Sequence, residues 1–226
     1  MMISLCSWTT RRWMEQLCFE EDIAMTESFD KERLDMIVDF CKEIDKEKFI
    51  QRRTYLTGGE RFENDAEHAW HMAIMALLLE DYSNEKVDIH RVVSILLIHD
   101  LVEVYAGDTF AYDEVGKLTQ RQRELDAADK LFAILPEDLG HRFRSLWDEF
   151  EAWETPEARF AHTLDNFQPL MQQDLSKGKS WKECDRKLSE VLRRNERSAQ
   201  GSEVLWDYAR KTFIDPQIEK GNLIED

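Results

Sequence analysis

The chain has 226 residues, enough for one well-buried domain, and no break in composition asks for two. Its 30 Lys and Arg stand against 47 Asp and Glu, a net charge of −17 that opposes binding to a nucleic acid polymer or to an anionic membrane surface. No stretch approaches the roughly 20 apolar residues of a membrane span, and Cys6, Cys18, Cys41 and Cys184 are scattered rather than set at metal or disulfide-framework spacing, which fits reduced thiols in the cytoplasm.

Residues 1–27 carry little pattern and read as an N-terminal extension, with Met25 a candidate natural start. One domain is expected over residues 28–226, its motif-bearing core at about 50–175 and its last helices at about 180–215. Gly and Pro number only 8 and 4, and apolar residues recur at spacings of three and four, so the fold class expected is all-α, with no strand interrupting a single helical bundle. A first helix runs from about Asp30 to near Ile50, with Leu34, Ile37, Val38, Cys41 and Ile44 as its inward stripe. After a loop holding Gly58 and Gly59, Asn64 or Asp65 caps a second helix whose dense apolar residues mark it as central. Asp88 caps a third, VVSILLIHDLVEVYAGD, expected to end near Gly107.

Beyond a loop around 110–118, Thr119 and Gln122 have capping-box spacing for a helix through Leu135, and Pro136 punctuates it. A further stripe, Leu139 to Phe150, leads to Thr155-Pro156-Glu157, a strong helix start with Pro in the first turn. Pro169 falls inside that helix and cannot donate to the carbonyl of Asp165, so a kink is expected there. Ser180 and Glu183 have capping-box spacing for a long polar helix to about Ala199, and a last amphipathic stretch covers Val204 to Ile214.

Three of these helices offer metal ligands: His68 on the second, His99 and Asp100 on the third, Asp165 on the helix with Pro169. An imidazole beside a carboxylate at the end of an apolar run is costly to bury without a partner, and a metal ion supplies one. Two imidazoles and two carboxylates form a mixed N/O set suited to a divalent cation such as Mn, Co, Fe, Ni, Zn or Mg, and helix bundles build such sites from facing helices. Glu103, on the same helix face as the pair, can act as general acid or base, and Asp108 just after Gly107 can hold a substrate hydroxyl or a proton. Arg53 is a candidate phosphate clamp, with Arg52 and Arg61 close by as a possible surface cluster. His71 and His162 read as packing or supporting residues, His90 and His141 as surface, and Trp70, Trp147 and Trp153 as core or interface aromatics.

The order His68 in NDAEHAWHMA, His99-Asp100 in LLIHDLVEVYAGD and Asp165 in AHTLDNFQPL resembles that of the HD-domain metal-dependent phosphohydrolases, over about residues 30–181. Within them the chain is most similar to the branch containing bacterial 5′-deoxynucleotidases, which matches Glu103 and Asp108 after the pair and Arg53 before the first His. An aromatic residue follows the Arg in that branch, where this chain has Thr54. The resemblance implies one divalent cation held by His68, His99, Asp100 and Asp165, with water activated to attack a nucleoside 5′-monophosphate, and it implies a homodimer. The alternatives are hydrolysis of another phosphate ester or a nucleoside triphosphate, or a non-catalytic helical regulator with a structural metal.

Overall fold

In the computed structural model, which describes residues 30–109 and 115–226, helices dominate as expected. The expectations for residues 1–27, Cys6, Cys18 and Phe110 lie outside these residues. Helix α1 (Lys31–Ile44) begins at Asp30, whose side chain accepts from the Arg33 amide, and runs into a 3-10 turn, Asp45–Phe49. Its inward line differs from the expected stripe: Leu34, Val38 and Cys41 face solvent, and Phe40 is the buried residue. The helix is rotated to seat that ring edge-on against Phe143, 5.5 Å between centroids.

The all-α expectation holds for the bundle but misses a hairpin. Strands β1 (Gln51–Tyr55) and β2 (Phe62–Asn64) pair antiparallel across a turn in which Gly58 and Gly59 take φ of 88° and 75°. Tyr55 stacks on Phe62 across the strands at 4.4 Å, the cross-strand aromatic pair that stabilises a short ladder.

Asn64 closes a full capping box with Glu67 at the start of α2 (Asp65–Leu79). One face of α2 buries Met72, Met75 and Ala76 against α3 (Ile89–Ile98), while Trp70, Ile74, Leu77 and Leu78 line the opposite face in solvent. Asp88 caps α3 as expected. The third helix does not run unbroken to Gly107: it stops at Ile98, and the short helix α4 (Glu103–Ala106) follows a turn. Through this stretch amides bond three residues back, Leu101 to Ile98 and Glu103 to Asp100, so the helix tightens where the His-Asp pair sits.

Helix α5 (Lys117–Phe132) starts two residues before Thr119, so that threonine does not cap it. Helix α6 (Glu137–Ala152) follows Pro136 and ends on Trp153 in the left-handed conformation, φ 59°. Thr155 caps α7 (Pro156–Leu175), which continues as one helix through Pro169. Ser180 does not cap a long helix. Its hydroxyl accepts from Gln173, and the segment is divided into α8 (Lys179–Glu183) and α9 (Leu188–Asn195). Helix α10 (Glu203–Ala209), a π-helical turn at Arg210–Ile214 and α11 (Asp215–Glu219) complete the chain. One contiguous core joins Phe40 in α1 to Leu223 near the end, with Ile95, Leu96, Leu131, Trp147, Phe160 and Leu164 fully buried at its centre.

Candidate metal centre

Helices α2, α3 and α7 pack on one another and bring His68, the end of α3 and Asp165 together. A donor atom from each of His68, His99 and Asp165 lies within 4.8 Å of the other two. His68 Nε2 is 3.1 Å from Asp165 Oδ1, and His99 Nε2 is 3.8 Å from the same oxygen. Asp100 stands beside them, its Oδ2 3.1 Å from His99 Nε2, but that oxygen also accepts from Arg52 at 2.8 Å.

The residues fit a divalent cation on two counts. Both ring nitrogens of His68 face acceptors, since Nδ1 lies 3.0 Å from Gln168 Oε1 while Nε2 faces Asp165. A neutral imidazole has one N–H, and burial, helped by the charge of Arg52, pushes the His68 pKa down to about 4. A divalent cation held by these residues would resolve the conflict. The second count is His99. Its Nδ1 donates to the Leu96 carbonyl at 2.9 Å, so in the neutral ring the lone pair is on Nε2, a buried atom that makes no well-aligned hydrogen bond although Asp100 Oδ2 lies 3.1 Å away. Burial opposes positive charge on this ring, yet Asp100 and Asp165 outweigh it and hold its pKa well above the ordinary value. A field that favours a proton there also favours a metal ion. Burial alone would raise both carboxyls, but His99 and Arg52 hold Asp100 below its usual range, and His68 and His99 do the same for Asp165.

A cavity of about 440 Å³ opens onto these groups, within the range of small-molecule sites. Arg53, His99, Asp100, Glu103, Asp108 and Asp165 line it, while His68 is fully buried behind them. Arg53 is exposed on β1, its guanidinium 5.9 Å from the Phe62 ring centre. Burial, together with the charges of Asp100, Asp65 and Asp108, holds the Glu103 carboxyl well above its usual range. Burial also raises Asp108.

Four residues of the site were not anticipated. Arg52, adjoining Arg53, points inward and pairs with Asp65 at 3.3 Å as well as with Asp100. Asp65, the first residue of α2, is fully buried, and burial with the charge of Asp100 pushes its pKa up to about 7. Glu63 and Gln168 pack behind His68. A strand reading of QRRTY would have separated Arg52 from Arg53 by face. Nothing in the sequence marked Gln168. His71 sits one step out, its Nδ1 3.3 Å from Gln168 Nε2, and His162 is stacked between Phe150 and Trp153 rather than turned to the metal site. His90 and His141 are exposed, Trp147 is core, and Trp70 is on the surface.

Comparison with known proteins agrees with this geometry. A family model, the HD domain, matches residues 44–206. The chain belongs to the HD-domain family. The HD domain here is similar to the human 5′-deoxynucleotidase HDDC2, 32% identical over 113 residues that make up 50% of this chain and 54% of the relative, so the chain spans about half the length of that protein. The zebrafish (Danio rerio) 5′-deoxynucleotidase HDDC2 is 30% identical over 140 residues, 62% of this chain and 68% of the relative. The fold matches the crystal structure of a predicted metal-dependent phosphohydrolase from Magnetospirillum magnetotacticum MS-1, at TM-score 0.82 and 45% identity, covering 86% of this chain and 97% of that one. Among the described residues, no helix of this HD domain is long and apolar enough to cross a membrane.

Proposed function

We propose that this HD domain is a metal-dependent phosphohydrolase that cleaves the phosphate monoester of nucleoside 5′-monophosphates, deoxynucleotides among them. The observation that carries this reading is the convergence of His68, His99 and Asp165, two of them lining a cavity that Glu103, Arg52 and Arg53 also line. His68, His99 and Asp165, with Asp100 beside them, are the residues to hold one divalent cation. When bound, such a cation supplies Lewis-acid stabilisation of the phosphoryl charge and a water nucleophile near neutral pH.

The remaining steps belong to the chain's own residues. Arg53 reaches the cavity from an exposed strand position and is free to take phosphate oxygens, whereas Arg52 is spent on Asp65 and Asp100. Glu103 lines the cavity with its pKa raised by burial and neighbouring carboxylates, which suits it to deliver a proton to the departing sugar oxygen, while Asp108 can accept from a sugar hydroxyl. The local positive charge of Arg52 and Arg53 lets an anion approach a chain whose net charge is −17. The names of the HDDC2 relatives support the nucleotide class.

The unit of function is one domain, residues 28–226, and it works as a homodimer in the cytoplasm. The exposed stripe Trp70, Ile74, Leu77 and Leu78 on α2 supports self-association, and the free, exposed thiols of Cys41 and Cys184 support a reducing compartment.

The decisive experiment is elemental analysis of the purified protein followed by phosphate release from a panel of nucleoside mono- and triphosphates with Mn, Co, Mg and Zn. Release from 5′-monophosphates is expected. Turnover of triphosphates alone would replace the monophosphatase reading, and a bound metal with no turnover on any substrate would leave a structural site.

A further inference from the structure

Behind the metal centre lies a buried polar chain: His68 Nδ1 is 3.0 Å from Gln168 Oε1, and Gln168 Nε2 donates to Glu63 Oε1 at 2.6 Å. His68 and Gln168 are fully buried and Glu63 is 1% exposed. The second hydrogen of the Gln168 amide points to His71 Nδ1 at 3.3 Å.

We infer that Glu63 and Gln168 are positioning residues that fix the tautomer of His68, and that the direction of the whole chain is set by Glu63. Glu63 Oε1 accepts from the Gln168 NH₂, and this turns the Gln168 carbonyl toward His68. That carbonyl only accepts, so His68 must donate from Nδ1. The lone pair is thereby left on Nε2, the atom that faces Asp165 and His99. His71 adds to the lock by offering Gln168 a second acceptor. Without the lock a glutamine amide can flip, present NH₂ to His68 and move the ring proton to Nε2, where it excludes a cation. The second histidine of the site is locked differently, by the backbone carbonyl of Leu96, so only His68 depends on side chains for its tautomer.

This inference rests on the metal-binding part of the proposed function. The test measures binding of Zn²⁺ and Mn²⁺ by calorimetry, and the protonation of His68 from ¹⁵N shifts of the Zn²⁺-loaded protein, with the signal assigned by its loss in His68→Asn. Glu63→Gln removes the polarity of the chain and Gln168→Leu removes the relay while keeping the carboxylate. Both are expected to weaken metal binding by about 10- to 100-fold, the usual cost of losing a residue that orients a metal ligand. The double exchange Glu63→Gln with Gln168→Glu reverses the positions of amide and carboxylate but keeps an acceptor against His68, and it is expected to recover affinity and the Nδ1–H signal. If Gln168→Leu binds metal as tightly as the parent, the relay is overturned and any effect of Glu63→Gln is one of charge alone. If both single variants bind normally, the inference fails while the metal site stands. If the parent protein binds no divalent cation, the metal site itself fails.

Discussion

The Nε2 of His68 and the Oδ1 of Asp165 meet at 3.1 Å across 97 positions of chain, with Asp165 one turn before Pro169 on a helix that passes through the proline unbroken. Their approach depends on α2 and α7 packing side by side, since no local spacing places a histidine on that aspartate.

His68→Ala and Asp165→Asn each remove one of the converging donors. Both are expected to lose bound metal and to lower phosphate release by at least about 100-fold, since even outer residues of metal sites cost 10- to 100-fold. Metal content per chain, measured by elemental analysis, checks this apart from activity. Full metal occupancy in either variant would remove that residue from the site.

Arg52→Ala strips the positive partner from two carboxylates, Asp65 fully buried and Asp100 largely so. Breaking a buried pair on one side costs about 3–5 kcal/mol, because the remaining charge is left uncompensated. Urea unfolding of the metal-free variant should show a loss of this size, and Asp65→Asn in the same chain should return part of it. An additive pair would mean that the two side chains do not interact.

Arg53→Ala separates the neighbouring arginine's role from that of Arg52. The Arg53 side chain is exposed, so stability should stay within about 0.5 kcal/mol. Loss of charge-assisted bonds to phosphate should raise KM by about 10- to 100-fold. An unchanged KM would return Arg53 to the surface cluster.

Glu47 provides a test of pH dependence. Burial, with the charges of Asp100 and Asp65, pushes its pKa up to about 7, and its Oε1 is buried without a hydrogen-bond partner. The folded chain therefore holds this proton more tightly than the unfolded chain. The contribution to stability is present in full below the ordinary carboxylate range and is lost as pH rises through about 7. Metal-free protein should melt at lower temperature at pH 8 than at pH 5, and Glu47→Gln should be the more stable form at pH 8, by about 3 kcal/mol. A variant less stable than the parent at pH 8 would show that the carboxylate is wanted ionised.

The exposed α2 stripe predicts an interface. Leu78, 73% exposed, makes little contact within the chain, so Leu78→Glu should leave the fold and its melting in dilute solution intact. Sedimentation should show the parent as a dimer and the variant as a monomer. A monomeric parent would show that the stripe has no role in self-association.

Much of the bundle was legible because its signals are local. Capping depends on a few consecutive residues, so Asn64, Asp88 and Thr155 were readable as helix starts, and the period of apolar residues marked α2, α3, α6 and α7. The Thr119 and Ser180 patterns had the same spacing but did not become caps: α5 starts earlier, and Ser180 bonds Gln173 from another helix. The hairpin was missed because Gln51 to Tyr55 is short and highly polar, and its ladder depends on a partner beyond the Gly58-Gly59 turn.

The sequence by itself determined the residue types of the candidate site, two histidines and two aspartates in a recognisable order, with Glu103, Asp108 and Arg53 as candidates beside them. Tertiary structure decided how those groups divide their work, because charge pairing and burial are properties of distances between elements. It turned Arg52 inward to Asp100 and Asp65, left Arg53 facing the cavity, and raised Glu103 by burying it among carboxylates. It also placed Glu63 and Gln168 behind His68, where hydrogen-bond direction, unreadable from spacing along the chain, sets which nitrogen is free.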